Sequence, residues 1–262
     1  MKAKDYLTDY YERYDEEGRL SSKHGMVEYL TTMKYVEKYL RPDMRILEIG
    51  AGTGRYSHAF AQKGYRVDAV EFVEHNIEIF RQHTIEGEPV TVTQGNAMEL
   101  SAFESNTYDI TLLLGPMYHL FTREDQWKAL SEAIRVTKKG GIIFAAYCMG
   151  DASVLSYGFV RGEIYNLIQD CKLDTETFGS FSDPWDIFEL YRKEDIDHLR
   201  NEFHVTQLHF VATDGYTNHM RETVDRMDDR MYELYLKYHF AICERPDMTG
   251  YSHHTLDIFR KE

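Results

Sequence analysis

The stretch Arg45–Ser57, which reads RILEIGAGTGRYS, decides the fold of this 262-residue chain. Its apolar start predicts a short strand buried on both faces, and the strand runs directly into three glycines at alternate positions. The residues after Gly54 have helical spacing, so the glycines lie between the carboxyl end of a strand and the amino end of a helix. Ligands of open α/β sheets bind at such a junction, because glycine lets a ligand approach backbone N–H groups.

The spacing of the glycines narrows the class of ligand. A dinucleotide fingerprint, G-x-G-x-x-G, would place its third glycine where this chain has Arg55, and no Gly-Lys-Ser/Thr of a Walker A loop occurs. The pattern that is present is an acid, Glu48, followed by Gly50, Gly52 and Gly54. A carboxylate at the strand end favours a ligand with ammonium or sulfonium charge over one that carries phosphates.

This acid and its three alternating glycines resemble the first motif of the class I S-adenosylmethionine (SAM)-dependent methyltransferases. Glu71 ends a second predicted strand about twenty residues after Gly50, where the family's acid accepts hydrogen bonds from the ribose diol. A third predicted strand leads into Gly95-Asn96-Ala97, where the family usually has Gly-Asp-Ala and the acid accepts a hydrogen bond from the adenine amino group. The side-chain carbonyl of Asn96 can accept that bond without a charge, although asparagine is also an ordinary turn former.

The segment that follows the fourth predicted strand, Leu114–Leu120, reads LGPMYHL and resembles the family's fourth motif. Gly-Pro after a buried strand predicts a sharp exit, which places Tyr118 and His119 at the mouth of the crevice. His119 can serve as a general base or as a substrate contact. A lone histidine is, however, more often a structural hydrogen-bonding group.

The resemblance covers residues 45–147 and implies a fold, a cofactor and an activity. The fold class is α/β: a Rossmann-like, seven-stranded methyltransferase sheet with helices on both faces, an N-terminal helical flap and a lid insertion after strand 5. The cofactor is SAM, with S-adenosylhomocysteine as its product, and the methyl group moves to a small-molecule acceptor by in-line displacement. The implied catalytic residues are His119 and Tyr118; the implied cofactor-binding residues are Glu48, Gly50, Gly52, Gly54, Glu71, Phe72, Asn96, Ala97, Leu114, Gly115, Tyr11, Tyr14 and Arg19.

We expect one methyltransferase domain over residues 1–262. It divides into an N-terminal flap and helix (1–44), a SAM-binding core (45–147), an aromatic-rich lid insertion (148–203) and C-terminal strands with an amphipathic helix (204–262). That last helix is predicted from apolar residues at helical spacing over about six turns, and it packs on the lid or on a second copy of the chain.

The tyrosine-rich leader has two interpretations that the sequence leaves open. It is either a solvated segment whose rings rest on the core, or a flap that brings Tyr11, Tyr14 and Arg19 over the cofactor.

Composition excludes several classes of partner. The net charge of −14, without a basic cluster, argues against nucleic acid. Three cysteines without a C-x-x-C pair indicate a reduced, cytoplasmic protein, and no apolar run approaches the ~20 residues that span a bilayer. No H-E-x-x-H or Cys/His knuckle occurs, so we expect no metal. We expect a monomer or a homodimer.

Two other functions remain open at this point. An NAD-type oxidoreductase uses the same kind of sheet, but Arg55 opposes it. A SAM- or nucleoside-binding regulator without turnover would carry the same binding motifs, because binding motifs do not prove chemistry.

Overall fold

One twisted sheet organises the part of the chain that the computed structural model describes, residues 3–14 and 18–262, with side chains described from residue 6 onward. Its strands are β1 Arg45–Ile49, β2 Arg66–Glu71, β3 Val90–Gln94, β4 Tyr108–Leu113, β5 Thr137–Met149, β6 Leu190–Tyr191, β7 Val205–Ala212 and β8 His254–Lys261. They hydrogen-bond in the order β3-β2-β1-β4-β5-β8-β7, and the two-residue β6 pairs with β5 outside that path. The seven expected strands are therefore joined by one short extra strand.

The loops that follow strands β1 to β5 lie at one edge of the sheet, because of the direction of these strands. Strands β1 to β5 run parallel, so their carboxyl ends meet at the same edge of the sheet. Strand β8 runs antiparallel between β5 and β7. The last strand of the chain therefore lies inside the sheet.

Helices cover both faces of the sheet. They are α1 Ala3–Tyr11, α2 Lys23–Tyr39, α3 Arg55–Ala61, α4 Glu74–His83, α5 Arg123–Val136, α6 Gly150–Ser153, α7 Ile164–Gln169, α8 Lys193–Arg200, α9 Arg221–Asp225 and α10 Asp229–Ile242. Short 3-10 turns at Pro116–His119 and Pro184–Asp186 matter for the site below, and a π-helical turn, Val154–Val160, continues α6.

Two apolar layers hold the sheet, one on each face. Strand β1 contributes to both, because Ile46 packs with Phe60 and Phe80 on one face while Leu47 packs with Leu130 on the other. Alternate side chains of a strand point to opposite faces, so a strand buried on both faces reads as a continuous apolar run. The burial expected for β1 is thereby observed.

The amphipathic helix expected over residues 220–238 is in fact two helices. The chain leaves helical geometry after α9, and the carboxylate of Asp228 accepts the Met231 N–H at 2.8 Å, which begins α10 with an N-cap. Met231, Leu234 and Tyr238 are 53%, 59% and 56% exposed, so the apolar stripe of α10 does not pack on the insertion.

No helix within residues 3–14 and 18–262 combines the length and the apolar character that crossing a bilayer requires.

Candidate active site

A cavity of about 260 Å³ opens at the carboxyl ends of β1, β2 and β4. It brings together most of the residues singled out in the sequence. Those that line it are Tyr11, Gly50, Gly52, Glu71, Phe72, Asn96, Ala97, Leu114, Gly115, Tyr118 and His119. Four predicted residues are not part of its wall: Glu48, Gly54, Tyr14 and Arg19.

Two positions of the loop require glycine, because of their positive φ and because neighbouring atoms leave no space for a Cβ. Gly50 has φ of 78°, and a Cβ there would lie 2.6 Å from Cδ of Pro116. Gly54 has φ of 91°, and a Cβ there would lie 2.4 Å from the ring of Phe80. Both positions therefore exclude other residues, by conformation and by space. The contact at Gly50 also sets the exit of β4 directly against the end of β1.

Glu71 is buried at the end of β2 and is fixed by three donors. Its Oε1 accepts from the Val73 N–H (2.9 Å) and from Asn76 Nδ2 (3.3 Å), and its Oε2 accepts from the Gly52 N–H (2.8 Å). Burial raises the pKa of this carboxyl, while the backbone N–H groups act to lower it. A carboxylate offers about four acceptor positions, and the long bond from Asn76 is the easiest one to exchange for a hydroxyl of the ligand.

Glu48 lies outside the cavity wall, in the interior next to α3. Its Oε2 accepts a 2.5 Å hydrogen bond from the Ser57 hydroxyl. Burial raises the pKa of Glu48 to about 8, although the hydrogen bonds from Ser57 lower it. The visible role of Glu48 is to attach the first turns of α3 to β1, and its contact with a cationic ligand stays a prediction.

Asn96 and Ala97 line the cavity after β3, as Phe72 does after β2. The side-chain carbonyl of Asn96 accepts the Met98 N–H at 3.0 Å, which is the turn-forming role. A carbonyl oxygen has two lone pairs, so this bond leaves one for a ligand.

His119 has a defined tautomer, because both ring nitrogens have partners. Its Nδ1 lies 2.8 Å from the carbonyl oxygen of Ile187, which can only accept, so Nδ1 carries the proton. Burial lowers the pKa of His119 to about 4, against the effect of that hydrogen bond, so the ring is neutral at pH 7. Its Nε2 is then an acceptor, and the Tyr11 hydroxyl donates to it at 2.9 Å.

Aromatic rings connect α1, the turn after β4 and the insertion around His119. The ring of Phe188 lies 5.4 Å from that of His119, 6.0 Å from that of Tyr118 and 5.7 Å from that of Tyr10. The Tyr118 hydroxyl donates to the Leu114 carbonyl at 2.9 Å, which fixes the ring to the end of β4. Three segments distant in the sequence thus meet on one side of the cavity.

Ile187 closes that side in an unusual conformation. It lines the cavity and has φ of 70°, a region that β-branched residues avoid. Such a residue costs about 1–3 kcal/mol and persists only where its surroundings hold it. The hydrogen bond from His119 to its carbonyl is one such restraint.

The structure places Tyr14 and Arg19 away from the cavity wall. The ring of Tyr14 stacks on that of Tyr10, with centroids 5.0 Å apart. Arg19 donates to both carboxylate oxygens of Glu28, at 3.0 and 2.9 Å. Their cofactor contacts, and the flap role of the leader, stay predictions.

Glu28 also belongs to a cluster with Asp214 and His254 whose possible ligand atoms lie within 4.8 Å of one another. His254 Nδ1 is 2.8 Å from Asp214 Oδ2, and Asp214 Oδ1 accepts the Ser252 hydroxyl at 2.5 Å. With Arg19 paired to Glu28, each acid already has a donor from the protein.

Other residues of the wall escaped the sequence analysis: Leu7, Asn76, Thr122, Asp125, Pro184 and Ile187. A signal existed for Asn76, which is a buried polar residue among the apolar positions of α4. The other residues belong to segments that only the tertiary fold brings together, so no local pattern in the sequence identifies them.

Comparisons with known proteins agree with this arrangement. A family model described as a methyltransferase domain matches residues 46–141. The ubiquinone biosynthesis O-methyltransferase of Methylocella silvestris is 28% identical over 144 residues, 55% of each chain. The S-adenosyl-L-methionine-dependent Diels-Alderase of Talaromyces variabilis is 30% identical over 101 residues, 37% of this chain and 34% of that one. A solved SAM-dependent methyltransferase from Thermotoga maritima matches 100% of both chains with a TM-score of 0.58 and 17% identity.

These likenesses have clear bounds. The chain spans about half the length of the curated relatives it matches, and the solved structure, at 17% identity, supports the fold alone. Within those bounds the recognition of a class I SAM-dependent methyltransferase domain from sequence is confirmed for residues 46–141, and SAM is the cofactor of that class. The α/β fold with a Rossmann-like methyltransferase sheet is confirmed as well.

Proposed function

We propose that this protein transfers the methyl group of SAM to a small-molecule acceptor, and that Tyr11 and His119 face the acceptor. One observation carries the proposal: a single cavity joins the strand-end motifs of a methyltransferase domain to a hydrogen-bonded Tyr11–His119 pair. The first set of residues matches a cofactor, and the second offers polar atoms to a second ligand.

The residues at the strand ends fit SAM. Glu71 can exchange the long bond from Asn76 for one from a ribose hydroxyl, and Asn96 retains an acceptor position for an amino group. Gly50 and Gly52 leave the backbone open to a ligand, and Phe72 supplies an apolar surface for a base. When bound, SAM supplies a methyl group on a positively charged sulfur, so the protein needs no covalent nucleophile.

On the other side of the cavity, the proposed task of the protein is alignment and exclusion of water. A volume of about 260 Å³ is below the ~300–1,000 Å³ typical of ligand pockets, so the cavity must widen to hold a cofactor and an acceptor together. Moving Tyr11 away would expose the lone pair on His119 Nε2. That lone pair can then accept the hydrogen of an acceptor hydroxyl, thiol or amine and hold its reactive atom in place.

The cellular location, the oligomeric state and the class of substrate are also part of the proposal. We place the enzyme in the cytoplasm as a monomer or a homodimer that acts on small molecules and not on nucleic acid. Support comes from three free cysteines and from the net charge of −14.

The experiment that tests the function combines binding with turnover. S-adenosylhomocysteine at 100 times its dissociation constant should add about 2.7 kcal/mol of stability in a thermal-shift titration, and NADH should add none. Incubation with SAM and a panel of phenols, thiols and amines should then give a methylated product by mass spectrometry. A shift with NADH alone would contradict the proposal. Binding of SAM without any product would favour a regulator, and a rearranged but unmethylated product would favour a cyclase like the Diels-Alderase relative.

A variant separates binding from chemistry. His119→Ala should bind S-adenosylhomocysteine within about twofold of the wild type, because His119 contacts the acceptor side, and should lower the transfer rate about 10²-fold or more. Calorimetry and a product assay measure the two effects. Normal turnover by this variant would make His119 a structural residue.

A further inference from the structure

The charges that line the cavity are all of one sign. Among the described side chains of its wall there are two carboxylates, Glu71 and Asp125, and no lysine or arginine. The single imidazole, His119, is uncharged at neutral pH because burial holds its pKa near 4. Among the side chains that the structure describes, a ligand in this cavity therefore meets negative charge and no cation that would offset a negative charge of its own.

Asp125 differs from Glu71 in having no partner. Glu71 accepts from three donors of the glycine loop and α4, whereas the carboxylate of Asp125 makes no hydrogen bond or ion pair within the part of the chain that the structure describes. The nearby cation Lys128 is bound to the neighbouring acid, Glu124, at 2.7 Å. Only the backbone N–H of Asp125 is engaged, by the Thr122 hydroxyl at 3.1 Å.

Apart from Thr122, the wall residues next to Asp125 in the sequence are apolar. These neighbours are Leu120 and Phe121, and Leu7 and Ile187 are further apolar residues of the wall. The Asp125 carboxylate is half-buried in the first turn of α5, so water and the helix dipole screen its charge only in part, and the charge still acts on a ligand in the cavity.

We propose that the methyl acceptor is an apolar molecule that carries no anionic group, and that Asp125 is the residue that excludes anionic acceptors. The inference rests on the proposed function, since it concerns the second ligand of that reaction. SAM itself is compatible with such a wall, because its ammonium and sulfonium groups outnumber its carboxylate. A carboxylated or phosphorylated acceptor has no such compensation.

The test uses one pair of probes that differ in charge. Protocatechuate is an anion at neutral pH, and methyl protocatechuate is its uncharged ester. The full-length protein is saturated with S-adenosylhomocysteine and carries isotopically labelled methionine methyl groups for NMR. Met98 lines the cavity and reports binding there, while the 53%-exposed Met231 on α10 reports binding elsewhere.

The ester should shift the Met98 signal saturably and bind at least about tenfold more tightly than the acid, because like charges about 8 Å apart repel by that much at an effective dielectric constant of about 20. Asp125→Asn should reduce this preference at least about threefold. Glu86→Gln, which removes an exposed charge that is not part of the cavity wall, should leave it unchanged. Met231 should not respond to either probe.

Three results would overturn the inference: equal binding of acid and ester, an unchanged preference in Asp125→Asn, or no response of Met98 to the ester up to its solubility limit. A methyl-transfer assay on the same pair keeps the two proposals apart. Selective binding of the ester with no turnover of any acceptor would contradict the proposed function and leave the exclusion of anions standing. Turnover together with equal binding of both probes would fail only the exclusion of anions.

Discussion

The two sides of the cavity are built in different ways. The cofactor half, named for its proposed ligand, consists of the strand-end residues between Ile49 and Met98, which hold one another through backbone bonds such as Gly52 N–H to Glu71. The acceptor half consists of Leu7, Tyr11, Tyr118, His119 and Pro184–Ile187, and it is joined by side-chain contacts between α1, the turn after β4 and the insertion. A side built on a sheet edge is fixed by the fold, whereas a side built from three separate segments can open.

The largest expected effect tests the rigidity of the cofactor half. Gly50→Ala places a Cβ 2.6 Å from Pro116 Cδ and at φ of 78°, so the loop or the β4 exit must shift. We expect a loss of S-adenosylhomocysteine affinity of about 100-fold or more, measured by calorimetry. The matched control is Gly64→Ala, with φ of 90° and no atom within 4 Å, which should cost about 1–2 kcal/mol of stability and leave the affinity unchanged. Equal affinities of the two variants would contradict the rigid loop.

Glu71 provides the next effect. Glu71→Gln places an amide opposite the Gly52 N–H and removes charge from the proposed ribose contact, so we expect a 10- to 100-fold weaker affinity and a stability loss of roughly 1–3 kcal/mol. Asp68→Asn is the control on the same strand, because Asp68 accepts from Arg45 and Tyr108 away from the cavity. It should lower stability in denaturant unfolding and not affinity. A normal affinity in Glu71→Gln would move the ribose contact elsewhere.

The sequence predicted that the residues of the cofactor half lie together at one edge of the sheet, because the patterns that place them are local. A strand, a glycine hinge and a strand-end acid are each short contiguous patterns, and parallel strands bring them to one edge. The acceptor half has no such pattern: Tyr11 and His119 are 108 residues apart, and His119 and Ile187 are 68 apart. Their meeting depends on how the insertion and α1 pack, which periodicity does not encode.

The same limit explains the misread helix of residues 220–238. The apolar residues keep helical spacing through this part of the sequence, but the Asp228 carboxylate accepts the Met231 N–H and caps the start of a second helix. The helix boundary is therefore set by the cap at Asp228, which the apolar periodicity does not reveal.

A smaller effect tests whether the acceptor half is separate from the cofactor half. Tyr11→Phe removes the hydrogen bond to His119 Nε2 and keeps the ring. We expect a stability loss of about 0.5–1.5 kcal/mol and an S-adenosylhomocysteine affinity within about twofold of wild type. Tyr14→Phe, whose ring still stacks on Tyr10, is the control for a leader tyrosine outside the wall. A tenfold loss of affinity in Tyr11→Phe would show that α1 belongs to the cofactor half.

The smallest effect is on the pH dependence of stability. Burial lowers the pKa of His119 to about 4, whereas the pKa of a histidine in the unfolded chain is 6.5. Between these two pH values the imidazole is protonated in the unfolded chain and neutral in the folded chain. The contribution of His119 is complete above pH 6.5 and is lost as pH falls toward 4. His119→Gln should reduce the slope of unfolding free energy against pH in this window by up to about one proton. Urea titrations at several pH values measure this slope, and an unchanged slope in His119→Gln would contradict the lowered pKa of His119.

The position of β8 has a consequence for how the chain is made. The parallel strands β1 to β5 can pair with one another once residue 149 has left the ribosome, since none of the pairs among these five strands needs a later residue. Strand β7 is different, because its neighbour in the described sheet is β8, which ends at Lys261. During synthesis, β7 and the flank of β5 that β8 covers must therefore wait for β8 before their backbone groups are satisfied, and during that interval they are open to pairing with other strands.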